Sequence, residues 1–172
     1  MKRTKSILLL LLCCLIMAAC AQNDPSGGTA TVPPATALPT SPAVTDAPTA
    51  PLFTLSVYRG NANAEGFVFE DVQVPEINET VVLEQLIAAG VLPEGTAIHS
   101  FSMTDGRIQI DFNDVFLKHL NSMGTTGEWI LTGSVVNTFL RAFDAQDLVF
   151  TVDSQIAESG HVIYDFPLEF VE

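Results

Sequence analysis

The sequence predicts an α+β domain in which a small mixed sheet is covered by two main helices. Three observations predict it: a hairpin signal at Asp105-Gly106, amphipathic helix patterns on both sides of that hairpin, and strand-like segments near both ends of the domain. An antiparallel pair with one apolar face needs a second layer, and amphipathic helices can supply it. The hairpin, residues 98–112, is therefore the predicted centre of the fold.

Residues 1–19 have the pattern of a bacterial lipoprotein signal peptide. Basic residues precede an apolar run that ends just before Cys20. That run is shorter than the roughly 20 apolar residues of a membrane-spanning helix. The residues IMAA before Cys20 resemble the lipoprotein cleavage box, so Cys20 is the predicted lipidation site. Cleavage after Ala21 by the ordinary signal peptidase is the alternative, and it would give a freely secreted protein.

Removal of this signal leaves an acidic chain with a single cysteine. Cys13 and Cys14 lie within the signal, so no disulfide and no thiolate metal site is expected in the domain. The remaining chain has 4 basic and 20 acidic side chains, which gives a formal charge of −16. Such a charge excludes nucleic acid as a partner.

Residues 20–51, which start with the lipidated cysteine, are predicted to form a disordered tether. The segment is rich in Pro, Thr and Ala, holds seven of the ten prolines and has no aromatic residue. It cannot bury enough apolar surface to fold, and in an extended proline-rich conformation it would reach up to roughly 90 Å. Residues 52–172 are then predicted to form one domain.

Two strands and a helix are predicted before the hairpin. Residues 53–58 alternate apolar and polar side chains, and residues 67–74 form a second extended segment. These strands are expected to pair or to follow one another around the sheet edge. Asn78 is the predicted N-cap of the first helix, and Gly90 is placed to end it. The predicted buried stripe of this helix consists of Val82, Leu83, Leu86 and Ile87.

The register of the hairpin follows from its turn, because Asp105-Gly106 fits a two-residue connection. This register places apolar side chains on one face of the hairpin. The predicted cross-strand pairs on that face are Met103 with Ile108, Phe101 with Ile110, and His99 with Phe112.

Two helices and two strands are predicted after the hairpin. Asn113 is the predicted cap of a short helix over 113–119, and a capping box of Thr125 and Glu128 starts a longer one that runs to about Phe143. Residues 148–152 and 162–171 are predicted to close the domain as strands. The apolar face of the longer helix is expected to carry Trp129, Val136, Leu140 and Phe143.

Two residues that break local rules carry further expectations. Gly133 lies in mid-helix, where it indicates a close approach to a neighbouring backbone. Pro167 places the last strand at an edge or a bulge of the sheet.

The chain also resembles a known family. The segment LPEGTAIHSFSMTDGRIQIDFNDVFL, the helical step VNTF and the strand LVFTVD are similar to the GerMN domain of spore-germination and sporulation proteins, over residues 52–172. The resemblance implies a fold similar to the ring-building motifs of secretion-system and sporulation-channel proteins. It also implies an exported, often lipid-anchored protein of the cell envelope. None of the matching motifs is a catalytic signature.

The candidate metal ligands have weak spacing. The three histidines, His99, His119 and His161, lack a zinc-binding arrangement, and His99 is expected to be a core or edge histidine. Asp111-x-Asn113-Asp114 resembles the start of a calcium loop but lacks its glycine and its glutamate. Helix capping by Asn113 explains this motif better, and a weak calcium site is the alternative.

Other polar residues offer no catalytic pattern. Asp144 and Asp147 form an available carboxylate pair, but an acidic composition produces such pairs without a function. Asn137 lies within the longer helix, where an amide usually bonds something specific, and it is expected to bind backbone within the fold. No catalytic residue, cofactor or metal is predicted.

Two functions from different classes follow. The first is a non-catalytic, lipid-anchored envelope protein whose domain mediates association with other envelope proteins, with the isolated domain mainly monomeric. Its membrane contact is Cys20. The second is a small-ligand or cell-wall-binding module, whose cleft could be lined by Tyr58, Phe67, Phe69 and Tyr164.

Overall fold

A computed structural model describes residues 51–172 of the chain. The predicted signal peptide, Cys20 and all but the last residue of the tether lie outside the described residues. The domain is α+β, as predicted, with two sheets and three helices. Its elements are β1 Phe53–Gly60, β2 Phe67–Val74, α1 Glu79–Ala88, β3 Ile98–Thr104, β4 Arg107–Phe112, α2 Asp114–Asn121, α3 Thr125–Phe143, β5 Asp147–Val152, β6 Gln155–Ile156 and β7 Leu168–Glu169.

The strands form two separate sheets. β1 and β2 pair antiparallel, from Phe53 opposite Val74 to Gly60 opposite Phe67, and make a sheet of their own. The second sheet has the order β3-β4-β5-β6, and β7 also pairs with β5. β4 and β5 run parallel while the other pairs are antiparallel, so this sheet is mixed.

The β3-β4 hairpin has the predicted turn and most of the predicted register. Asp105 and Gly106 have positive φ angles of 53° and 79°, as a two-residue hairpin turn requires. The hairpin lies at one edge of the sheet, with β3 outermost. Two of the predicted cross-strand pairs are present, Met103 with Ile108 and Phe101 with Ile110.

The third predicted pair of the hairpin is wrong. Ile98 lies opposite Phe112, and a bulge before Ser100 leaves His99 as the extra residue. The His99 side chain is half exposed, and its Nε2 lies 3.0 Å from Oδ1 of Asp153. His99 is therefore an edge histidine and does not belong to the apolar face.

α1 begins as predicted. The Oδ1 of Asn78 accepts a hydrogen bond from the backbone N–H of Val81 at 2.9 Å, and Gly90 follows the helix with a φ of 72°. Its buried residues are Val82, Leu83 and Leu86, whereas Ile87 is partly exposed.

Neither of the later helices is capped as predicted. Asn113 stands at the N-cap of α2 but bonds the turn before β3, accepting from the N–H of Ala97 and donating to the carbonyl of Gly95. α3 has Gly124 at its N-cap, with no side-chain cap. The capping box is wrong because the Glu128 side chain is buried and bonds residues of the C-terminal segment instead.

α3 is the central element of the domain. It contacts β1 and β2 of one sheet and β5 and β7 of the other, and all ten residues from Leu131 to Leu140 are buried. The helix is thus covered around its whole circumference there, which replaces the predicted single apolar face. Val136 and Leu140 are in the core as expected, whereas Trp129 is 37% exposed and contacts Phe67 at the surface.

Gly133 makes room for a side chain of β2. A Cβ atom at this position would lie 2.3 Å from Cζ of Phe67, far inside van der Waals contact. The predicted close approach is present, but the neighbour is an aromatic ring and not a backbone.

The C-terminal segment, residues 157–172, crosses the domain with little regular structure. The long final strand predicted over 162–171 is wrong, because strand pairing is limited to β7 and to a bridge between Glu158 and Ile163. β7 begins directly after Pro167 and pairs only with β5, which fits the expected edge position. Further along, the Asn137 side chain donates a hydrogen bond to the carbonyl of Val171 and accepts one from its N–H.

Candidate functional site

The histidines do not gather into a metal site. His99 contacts Asp153, His119 is partly exposed on α2, and His161 is exposed in the C-terminal segment. Within residues 51–172, no group of three histidine, cysteine or acidic side chains is arranged to hold a metal ion.

The calcium-like motif has structural partners instead. Asp111 is buried, and its Oδ1 accepts from the hydroxyl of Thr151 at 2.6 Å and from the N–H of Ser154 at 2.8 Å. The hydrogen bond from Thr151 is the main reason that the pKa of Asp111 is lowered. Asp114 instead pairs with Lys118, so the carboxylates of the motif serve separate contacts.

The two acidic residues after α3 also act separately. Asp144 is the C-cap of the helix, with a φ of 51°. Asp147 receives two hydrogen bonds from the Arg107 guanidinium, at 2.5 and 2.9 Å, and this pairing lowers the pKa of the Asp147 carboxyl. They do not form a catalytic pair.

The four aromatic residues proposed to line a ligand cleft lie in three places. Tyr58 is buried, and its ring centroid is 5.2 Å from that of the exposed Phe69. Phe67 contacts Trp129, with 4.9 Å between ring centroids. Tyr164 is buried within the C-terminal segment. No single cleft is lined by all four.

A different cleft is present between the first turns of α3 and the C-terminal segment. Its volume is about 290 Å³, and we call it the C-terminal cleft. Most of its wall is apolar, and the side chains that form that wall are Trp129, Val162, Tyr164, Phe166 and Leu168.

A buried carboxylate holds one wall of this cleft in place. Glu128 is 3% exposed, and its Oε1 accepts hydrogen bonds from the hydroxyls of Tyr164, at 2.6 Å, and Ser159. The Ser159 hydroxyl oxygen in turn accepts from the backbone N–H of Val162 at 2.9 Å. Burial, with the hydrogen bond to Glu128, raises the pKa of Tyr164 far above its ordinary value. This network fixes the C-terminal segment against α3.

Glu128 is the residue of this region that sequence reasoning misassigned. Its position three residues after Thr125 is typical of a capping box. Its actual partners are more than 30 residues away, so no local pattern indicates them. For Asn137, by contrast, the unfavourable place of an amide within a helix predicts the bond to backbone.

Solved structures with a similar fold include GerMN domains. The tandem GerMN domains of the sporulation protein GerM from Bacillus subtilis align with a TM-score of 0.51 and 14% identity, covering 77% of this chain and 49% of that one. The first GerMN domain of that protein aligns with a TM-score of 0.46 and 14% identity, over 69% and 94% of the two chains. A candidate lipoprotein from Clostridium perfringens aligns with a TM-score of 0.47 and 20% identity, over 69% and 87%.

A family match, together with the fold of the tandem GerMN domains, defines the domain as one of the GerMN type. Residues 56–158 match the Germane family, which is described as "Sporulation and spore germination". This match covers more than half of the chain, and the chain therefore belongs to the Germane family. The resemblance found in the sequence is confirmed. Comparison with curated proteins finds no match.

Proposed function

We propose that the protein is a non-catalytic component of the bacterial cell envelope, in which its GerMN-type domain associates with other envelope proteins. Membership of a sporulation and spore-germination family supports a role in sporulation, germination or envelope assembly. The observation that carries the proposal is a set of large aromatic side chains left on the surface around the C-terminal segment. Phe69, Phe166 and Phe170 are 56%, 45% and 45% exposed. Phe69 and Phe170 both contact the ring of Tyr58, with 5.2 and 5.5 Å between ring centroids, so they are neighbours. Neighbouring exposed apolar groups are typical of protein interaction sites.

The polar side chains of the domain support a role without catalysis. Asp111 anchors the turn after β5, Asp147 pairs with Arg107, and Glu128 holds the C-terminal segment. Each of these acidic groups thus has a partner within the fold. The second carboxylate oxygen of Glu128, Oε2, has no hydrogen-bond partner but is buried away from solvent. A catalytic acid or nucleophile instead needs a free reactive atom facing a substrate.

Attachment to the membrane is assigned to lipidated Cys20, with the proline-rich segment as a spacer. Among residues 51–172, no helix is both long and apolar enough to cross a bilayer. One acyl-modified cysteine would hold the protein at the extracytoplasmic face of the membrane. Replacing Cys20→Ser should block processing or release the protein into the medium.

The association is tested by crosslinking the full-length chain in cells and identifying the proteins recovered with it from the membrane fraction. One or a few other envelope proteins should be recovered. Turnover of a cell-wall or peptide substrate, abolished by a point substitution that preserves the fold, would contradict the non-catalytic role.

A further inference from the structure

The C-terminal cleft has the size and lining of a site for one large apolar side chain. Its volume of about 290 Å³ lies at the lower limit for small-molecule sites. Trp129 and Phe166 line it and are themselves 37% and 45% exposed, so part of each ring remains available for contact. Tyr164 is buried and fixed by Glu128, so a guest would meet a preformed wall.

The C-terminal segment, which forms one wall of this cleft, is acidic. The C-terminal segment carries four exposed acidic residues and no lysine or arginine. Residues 51–172 as a whole have 18 acidic and 4 basic side chains. Two of the four bases are already paired, Arg107 with Asp147 and Lys118 with Asp114. The exposed acidic residues of the segment are Glu158, Asp165, Glu169 and Glu172.

We propose that the C-terminal cleft docks a basic segment of a partner protein, which inserts one large apolar side chain between Trp129 and Phe166. Lysine or arginine residues on either side of that apolar residue would face the acidic residues of the segment. The aromatic walls supply apolar contact, and the opposite charges favour encounter and orientation. This inference rests on the proposed function and specifies the chemistry of the partner.

The same charge argument disfavours two other occupants. A second copy of the domain would bring a surface of the same sign, which repels at low salt. Residues 21–50 of the chain itself contain two aspartates and no basic residue, so they lack the complementary charge as well.

The cleft contains its own reporter, because Trp129 is the one tryptophan of the chain. The full-length protein in detergent micelles is titrated with a blocked pentapeptide of phenylalanine flanked by two lysines on each side, and Trp129 emission is followed. Matched peptides replace the lysines by glutamate or the phenylalanine by alanine. Saturable binding of the first peptide is expected, with affinity at least about tenfold lower for each matched peptide. Binding should weaken when NaCl is raised from about 0.05 to about 0.5 M.

Variants locate the binding site. Phe166→Ala and Asp165→Asn should each lower the affinity for the lysine peptide by about fivefold or more. Thermal unfolding of each variant confirms that the fold is kept. Met103→Ala is the matched control, because Met103 is a comparably exposed apolar residue on β3, at the opposite edge of the sheet. The affinity of Met103→Ala for the lysine peptide should equal that of the parent protein. Equal binding of the glutamate peptide, no binding of the lysine peptide, or no effect of Phe166→Ala would overturn the inference.

Further outcomes separate this inference from the function on which it rests. If the lysine peptide binds but crosslinking recovers no partner, the cleft is a binding site and the proposed association with envelope proteins is wrong. If Phe166→Ala recovers the same partners as the parent protein, the association function stands and the assignment of the cleft as the docking site is wrong. A dimer abolished by Phe166→Ala, or a change of Trp129 emission when residues 24–49 are deleted, would assign the cleft to a second copy or to the tether instead.

Discussion

Asn137 shows how one buried amide fixes the end of the domain. It is fully buried in α3, donates to the carbonyl of Val171 at 2.7 Å and accepts from the N–H of the same residue at 2.9 Å. The side chain thus takes the place of a neighbouring strand for this residue of the C-terminal segment. Its role is structural, as its unfavourable position in a helix predicted.

Replacing Asn137→Ala should lower the free energy of unfolding by about 1 to 3 kcal/mol, because both backbone groups of Val171 lose their partner. Hydrogen exchange at the Val171 amide should accelerate as well. Asn121→Ala, at the exposed end of α2, is the control and should change stability by less than about 0.5 kcal/mol. Equal stability of the two variants in urea would contradict the structural role of the Asn137 side chain.

Tyr164 links the stability of the domain to alkaline pH. Its raised pKa means that the native state retains the phenolic proton at a pH where the unfolded chain, with an ordinary pKa of about 10, has lost it. Its contribution is therefore complete below pH ~10 and decreases as pH rises further. Tyr164→Phe should be less stable than the parent at pH ~8, and the difference should narrow toward pH ~11. Urea unfolding curves whose difference stays constant over this range would refute the assignment.

At the scale of the elements, replacing each of the two glycines within α3 by alanine should have opposite effects on stability. Gly133→Ala would gain helix propensity of about 1 kcal/mol but forces a methyl group into the Phe67 ring, which should cost more, about 1 to 3 kcal/mol net. At Gly127 a Cβ would meet only the flexible side chain of Met123, at 3.0 Å from its sulfur. Gly127→Ala should therefore be neutral or slightly stabilising. Thermal unfolding that ranks the two variants the other way would show that Phe67 adapts freely.

The β3-β4 turn is a second test at this scale. Gly106 has a φ of 79°, which valine adopts only with strain, and a Cβ atom at this position would lie 3.2 Å from the Gln146 side chain. Gly106→Val should cost on the order of 1 to 3 kcal/mol. Gly160→Val, in the exposed loop before His161 and with open space around it, is the control and should cost much less. An unchanged melting temperature for Gly106→Val would contradict the turn geometry.

Local sequence signals predicted those elements whose causes are local. The N-cap at Asn78, the turn at Asp105-Gly106 and the span of α3 each depend on neighbouring residues, and each is present. The sequence predictions are wrong where residues distant in the chain determine the local structure. Glu128 bonds Tyr164 rather than capping α3, and the C-terminal segment follows the surface of the helix with side-chain bonds in place of a strand ladder. The C-terminal cleft is formed by such distant contacts, so its lining could not be predicted.

At the scale of the whole domain, a helix buried around its circumference is placed between two sheets of unequal size. The small β1-β2 sheet and the five-stranded sheet both contact α3, and the C-terminal segment closes the remaining side near its first turns. This arrangement leaves exposed aromatic side chains and an acidic surface close together. Because identical acidic surfaces repel, we expect the isolated domain to be mainly monomeric at micromolar concentration and to bind a partner of different charge.

The central claim is that the domain works by binding another envelope protein at the C-terminal cleft. Its most direct test is photocrosslinking in cells, with a photoreactive amino acid in place of Phe166 in the full-length chain, and in place of Met103 as the control. Light-dependent adducts with one or a few other envelope proteins should form from position 166 and not from position 103. Adducts that form equally from both positions, or from neither, would contradict the account.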